Sequence, residues 1–292
     1  MRSTLNIQKQ GLAEQAKQKA INTRVAAGLD LKSPICVYAL CDRLGLTVRF
    51  VDISMEGLYL QNVEPKILLS ALRPLTRRVF TCGHELGHHV FGHGSTLDNL
   101  IENSERENCL QPEEFLADSF AGFLLMPIIG IRKAFASRGW SAESATPEQF
   151  FTVACCFGVG YETLITHMTY SLKMVTALKA NALLRIKPKT IREQVLGYST
   201  LHPLIIADPK WEMPTIDAEV GSSLLLPAGT EAANDAILYK NDYQKGRVFI
   251  ANRPGIVRVY CQDTDWAVFV RVSAYQFVGL SQYRHFEEDG DE

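Results

Sequence analysis

Residues 82–94 read CGHELGHHVFGHG and hold four of the chain's seven histidines: His84, His88, His89 and His93. His84 and His88 are four residues apart. On a helix they leave one face a turn apart, so both imidazoles can reach a single tetrahedral Zn²⁺. Glu85 stands next to His84, where its carboxylate can take a proton from a water on such an ion. This is the HExxH arrangement of a zinc peptidase. A motif of this length also arises by chance, and its bland reading is a helix carrying solvated or capping histidines.

A hydrolytic zinc needs three protein ligands and one open position. The acids of PEEFLAD supply the candidates: Glu113, Glu114 and Asp118. Glu114 and Asp118 share a helix face at i,i+4, and like charges so placed cost a helix roughly 0.2–0.5 kcal/mol. A cation, or an imidazole N–H between them, removes that cost. Asp118 can also accept the second ring N–H of a ligand histidine and so fix its tautomer. This selects Glu114 as the third ligand and Asp118 as the residue behind a ligand, with Glu113 as the alternative ligand.

The remaining groups of the cluster read as bystanders. His89 points about 100° round the helix from His88, so it packs or faces solvent. His93, one turn beyond His89, suits capping or packing at a helix C-terminus. Cys82 lies about 200° from His84 and reads as a small buried apolar residue, not as a thiolate switch on the metal.

The elements that must position these groups follow from periodicity. Residues 5–27 suggest an amphipathic helix stopped by Gly28, and 34–44 a second one ending at Gly45. LTVRFVDI (46–53) alternates apolar and polar residues as a strand does, and GLYLQ (57–61) and KILLS (66–70) follow as two more. A helix is expected over 76–91, stopped by Gly92 and Gly94, then a polar surface loop over 95–111. Pro112 and Pro127 bracket the glutamate helix. Residues 147–186 read as helical, and the last hundred residues as short β-like runs such as SLLLP, RVFIAN and WAVFVRV.

At this level the residues carry a family resemblance. The run RRVFTCGHELGHHVFGHG, with EFLADSFAGFLLMP downstream, resembles the ImmA/IrrE family of zinc metallopeptidases. That family shows RR-F-T-x-x-HELGH and then E-x-x-A-(N/D)-x-F-A-x-x-LLMP. Glu114, Ala117, Asp118, Phe120, Ala121 and Leu124 to Pro127 fall on the second motif. The lead-in LCDRLGLTVRFVDI and GLYL is similar too, and the resemblance spans about residues 10–180. The chain departs at Cys82-Gly83, where an apolar residue and Ala are commoner, and at Asp118, where Asn is. Neither change touches a ligand, and carboxylate and amide both accept an imidazole N–H.

The resemblance implies metal-assisted peptide hydrolysis, with Zn²⁺ polarising the carbonyl and Glu85 acting as base and then proton donor. It implies as substrate an intracellular protein, a transcriptional repressor often of the XRE helix-turn-helix type, in stress response or mobile-element control. The oxyanion partner is open among ten tyrosines and His167, His202 and His285. The strands before the active helix, along 57–61, offer an edge for substrate to add as a strand. The function from a different class is a non-proteolytic zinc-containing regulatory module that acts by binding a partner.

The expected fold class is α+β. A minimal zincin-like peptidase domain occupies 1–130, a short sheet with the HExxH and glutamate helices. A helix-turn-helix-like helical segment covers 131–187. A separate β-rich domain covers 188–292; it shows no motif of its own, a sensor or regulatory role is only what the resemblance implies, and its acidic end, 287–292, reads as disordered. The second helix of the 148–172 element, YETLITHMTYSL, has no Arg, Lys, Asn or Gln, so it reads as a packing module and not a reader of DNA. A net charge of -2 gives no general attraction to nucleic acid or an anionic membrane. The polar start lacks the apolar core of a secretory signal, and FAGFLLMPIIGI, interrupted by Pro127, is too short to span a bilayer. Seven cysteines without a CxxC pair suit reduced thiols, hence a cytoplasmic location.

Overall fold

The computed structural model describes residues 2–98, 112–243 and 246–286. It is a mixed α and β structure that divides into two compact units. The first comprises residues 1–131 with 278–281, the second residues 132–277 with 282–292.

The first unit opens with helices α1 (Arg2–Ala26) and α2 (Val37–Arg43). Strands β1 (Thr47–Val51), β2 (Gly57–Leu60) and β3 (Lys66–Ser70) follow, then α3 (Leu75–Phe91), β4 (Thr96–Asp98) and α4 (Pro112–Leu125). The strand alternation works as read: Val48 and Phe50, Tyr59, and Ile67 and Leu69 are all buried, because successive side chains of a strand point to opposite faces. The sheet has five strands. The pair Gly279–Leu280 lies antiparallel to β1, β1 is parallel to β3, and β2 is antiparallel to both β3 and β4.

Two departures from the sequence reading matter for the site. The expected loop over 95–111 begins as a strand, since Thr96 to Asp98 pair with Gly57 to Tyr59; residues 99–111 lie outside the described ones. For the same reason β2 is no edge. Both of its sides are paired, so 57–61 cannot receive an added strand.

Helix α4 packs against α1 and α3. Its Phe120, Ala121, Leu124 and Leu125 are all but fully buried, as is Arg24 of α1. The Arg24 guanidinium donates to the carbonyls of Leu124 (2.6 Å), Asp30 (2.9 Å) and Ser33, satisfying an orphan acceptor at the α4 C-terminus. Burial lowers the Arg24 pKa to about 10 against the charge of Asp30, so it stays protonated at neutral pH. The span Pro112–Ala136 is apolar enough to suggest a membrane helix, but 67% of its most apolar window is buried inside the protein. The helix also breaks at Met126-Pro127 before α5 (Ile128–Ala136). It is a core element.

The second unit contains α6 (Pro147–Cys156), α7 (Tyr161–Thr166), α8 (Ala177–Leu184) and α9 (Pro188–Leu196). Thr146 and Gln149 form a reciprocal capping box at the start of α6. Gly158, at φ +64, makes the turn into α7. Exposed positions of α7 and the π-turn after it carry Glu162, Thr166 and Tyr170, not the basic or amide groups that read bases. Pro188, where the sequence reading starts the last domain, occupies the first turn of α9, where its fixed φ suits a helix start.

Strands β5 (Leu204–Ile206), β6 (Thr215–Glu219), β7 (Ser223–Leu226) and β8 (Thr230–Ala232) come next. They are followed by β9 (Ile237–Tyr243), β10 (Gly246–Ala251), β11 (Gly255–Cys261) and β12 (Ala267–Ser273). They form two four-stranded sheets, ordered β5-β7-β10-β9 and β6-β12-β11-β8. Leu224, Leu226, Phe249, Val257, Val259, Val268 and Val270 belong to one shared core. The acidic residues 287–292 lie outside the described ones.

Candidate metal centre

The site depends on how closely α3 and α4 approach. Gly83 and Gly87 sit one turn apart on α3 and face Ala121 and Ala117, one turn apart on α4. A Cβ on Gly87 would lie 3.0 Å from the Ala117 Cα, and one on Gly83 would lie 3.3 Å from the Ala121 Cβ. Two glycines against two alanines let the backbones come closer than larger side chains would allow. The short side chains thus bring Glu114 within reach of the histidines.

Three ligand atoms converge there. The Nε2 atoms of His84 and His88 are 3.0 Å apart. The Glu114 carboxylate lies 3.3 Å from His84 Nε2 and 3.5 Å from His88 Nε2. A tetrahedral Zn²⁺ with bonds of about 2.0–2.1 Å separates its ligand atoms by about 3.3–3.4 Å. The observed separations straddle that value, so the spacing of the three residues fits such an ion. Among the described residues this is the group of histidine, cysteine and acidic side chains that could hold a metal. Glu113 is exposed and stands outside it.

Asp118 lies behind the first histidine, with Oδ1 2.8 Å from His84 Nδ1. That bond keeps a proton on Nδ1 and turns Nε2 toward the other ligands. Burial opposes charge on His84, but its hydrogen bonds to Asp118 and Glu114 outweigh burial and hold its pKa well above the ordinary value. Burial, together with the nearby His84 charge, pushes His88 down to about 4. His88 therefore keeps a lone pair to offer, while the carboxylates around His84 provide negative charge that a cation can use.

Glu85 is fully buried, at 0% exposure. Gly57 of β2 lies against it, and a Cβ there would meet Thr81 Cγ2 at 2.6 Å and Glu85 Oε1 at 2.9 Å. This carboxylate is held between the helix and the sheet, which limits its freedom.

The bystanders divide. His89 is turned away from the ligand set, and its Nδ1 bonds the hydroxyl of buried Tyr59 at 2.7 Å. Cys82 is buried, with its Sγ 3.7 Å from that of Cys41, and burial raises its pKa well above the usual thiol range. His93 does not continue the helix past His89. Gly92 adopts φ +72, the His93 N–H returns to the His88 carbonyl at 3.0 Å, and the His93 ring meets His88. Sequence spacing pointed to the wrong neighbour, although the Gly92 stop signalled that helical geometry ends there. His167, His202 and His285 all belong to the second unit.

Comparison with known proteins bears on this region directly. Residues 41–168 match the family model Peptidase_M78, described as the IrrE N-terminal-like domain. No curated protein matches the chain. Among solved structures, a Mycobacterium tuberculosis transcriptional regulator is similar at 15% identity and a TM-score of 0.33, over 53% of this chain. The chain spans 46% of that protein, and a likeness so low carries no inference. The family match contains both α3 and α4, and with them every candidate ligand. Residues 41–168 of this chain are thus similar to the IrrE N-terminal-like domain that the Peptidase_M78 family model describes.

Proposed function

We propose that the first unit is a minimal zincin-like, zinc-dependent endopeptidase. Its ligands are His84, His88 and Glu114, Asp118 orients His84, and Glu85 is the general base. The observation that carries this reading is the convergence of two Nε2 atoms and one carboxylate at 3.0–3.5 Å, the edge lengths of a zinc tetrahedron. When bound, Zn²⁺ supplies Lewis acidity to the scissile carbonyl and to an attacking water. Glu85 accepts the proton of that water and returns it to the leaving amine, work that contributes typically 10²–10⁴-fold. Substrate adding as a strand would have to use an outer strand of the sheet, β4 or Gly279–Leu280, because β2 is already paired on both sides.

The resemblance of the two helical motifs supports an intracellular protein substrate, a transcriptional repressor of the XRE helix-turn-helix type, within stress response or mobile-element control. The β-rich part then serves regulation or substrate selection. A second reading, a zinc-containing module that binds a partner without cleaving it, is favoured by one observation, the complete burial of Glu85. The test is incubation of the purified protein with candidate repressors, alongside Glu85→Gln. Cleavage by wild type and not by the variant, both retaining zinc, is the expected result. Cleavage that persists in Glu85→Gln refutes the assigned base, and zinc retention with no cleavage of any repressor supports the binding reading.

A further inference from the structure

A ligand histidine needs its second ring nitrogen held, since that bond selects the tautomer and aims the lone pair. For His84 the holder is Asp118. For His88 the partner among the described residues is another imidazole, its Nδ1 lying 3.0 Å from Nδ1 of His93. We infer that His93 is a positioning residue for the metal centre, accepting the Nδ1–H of His88 and fixing that ligand's lone pair on Nε2. The inference rests on the zinc reading given above.

The geometry leaves one proton arrangement. If His88 Nε2 offers a lone pair to the ion, neutral His88 carries its proton on Nδ1. A hydrogen bond between two Nδ1 atoms then requires that His93 accept, and neutral His93 carries its own proton on Nε2. The chain is built to hold this pair. Gly92 in the left-handed conformation ends α3 and reverses the backbone, bringing His93 back over His88. The Phe91 ring stacks on His93 at 5.4 Å and 10°, and Phe91 in turn meets Phe120 of α4 edge-on at 6.1 Å. The His93 ring is therefore clamped from the glutamate helix, by contacts that a solvent-facing cap would not need.

The test compares wild type, His93→Phe and His93→Gln as full-length proteins, measuring Zn²⁺ affinity by competition with a chelator. Phenylalanine keeps the stacking on Phe91 and removes the acceptor. Glutamine restores an acceptor as its amide oxygen. The expected result is a 10–100-fold weaker affinity for His93→Phe, the usual cost of losing such a partner, with recovery to within a few-fold in His93→Gln. Wild-type affinity in His93→Phe overturns the inference. So does a loss that glutamine fails to restore, because an acceptor for the His88 Nδ1–H is then not what the residue supplies. Wild-type protein that takes up no Zn²⁺ overturns the peptidase reading itself, and is distinguished from both by its own control.

Discussion

Replacing Gly87 by alanine sets two known effects against each other. In an exposed helix interior, Gly→Ala stabilises by about 1 kcal/mol, through restricted backbone freedom and better propensity. At Gly87 the new methyl would lie 3.0 Å from the Ala117 Cα, 3.2 Å from Phe120 Cδ1 and 3.3 Å from the Ala117 Cβ. Carbon atoms sit comfortably at about 3.5–4.0 Å. The nearest atom is backbone, so α4 itself must shift by about 0.5–1 Å to restore that spacing. Overpacking of this kind costs about 1–3 kcal/mol, which outweighs the propensity gain and leaves a net loss of about 0–2 kcal/mol. Glu114 lies one turn from Ala117 and moves with it. Metal-ligand distances tolerate only about 0.2 Å, so zinc affinity falls at least about tenfold, or roughly 1.4 kcal/mol.

Two control substitutions isolate the cause. At Gly83 the nearest atoms are the Ala121 Cβ at 3.3 Å and the Leu125 Cδ1 at 3.4 Å, with backbone no nearer than 3.6 Å; the leucine can turn aside and the alanine needs only a few tenths of an ångström, about 0.2–0.3 Å, so Gly83→Ala keeps zinc and changes stability little. Gly11 of α1 has nothing within 4 Å, so Gly11→Ala gains about 1 kcal/mol. The assays are thermal unfolding of the metal-free proteins and zinc competition against a chelator. If Gly87→Ala stabilises as much as Gly11→Ala and binds zinc as wild type does, the close helix approach does not set the ligand spacing, and the reasoning fails.

Three further outcomes are expected. Glu114→Ala should lose stoichiometric zinc while Glu113→Ala keeps it, as metal analysis after gel filtration will show; the reverse pattern reassigns the third ligand. Removing the metal with a chelator should lower the thermal midpoint of wild type but leave Glu114→Ala unmoved, since a ligand at 100 times its Kd contributes about 2.7 kcal/mol. In the second unit, Asp217 accepts from Arg271 at 2.6 and 2.7 Å and from Arg284 at 3.3 Å. Burial alone would raise its pKa, but Arg284 and Arg271 hold it below the usual 3.8. A depressed carboxylate contributes stability that is complete above its unfolded value and lost as pH falls through the folded one. Asp217→Asn should therefore cost about 3 kcal/mol at neutral pH and show less further loss below pH 4, read by unfolding at several pH values.

Much of the candidate metal centre is a local property, and the amino-acid sequence determines that part. His84 and His88 share a face because of the helical repeat, and Gly92 ends α3 because it adopts a left-handed conformation at little cost. Pro112 and the acids after it mark the start of the helix that brings Glu114. The alternation in 46–70 announces the strands beneath it. None of this needs knowledge of what the helices pack against. The strands that escaped notice are those whose partners are remote. Thr96–Asp98 is too short to show a period, and it exists because β2 pairs with it. TIDAE at 215–219 becomes a strand only beside β12, where Asp217 faces Arg271 across the register.

Tertiary structure alone decided three things about the site. It chose between Glu113 and Glu114, since the two are adjacent in the chain and only the position of α3 says which of them faces the histidines. It gave Gly83 and Gly87 their meaning, because a glycine in a helix reads as a propensity defect until Ala121 and Ala117 are seen opposite. It also turned His93 from a cap into a partner of His88, a contact made by a chain reversal that no helical period describes. Spacing along one element is set by bonded geometry and is legible in the sequence. Distance between elements is set by packing and has to be seen in three dimensions.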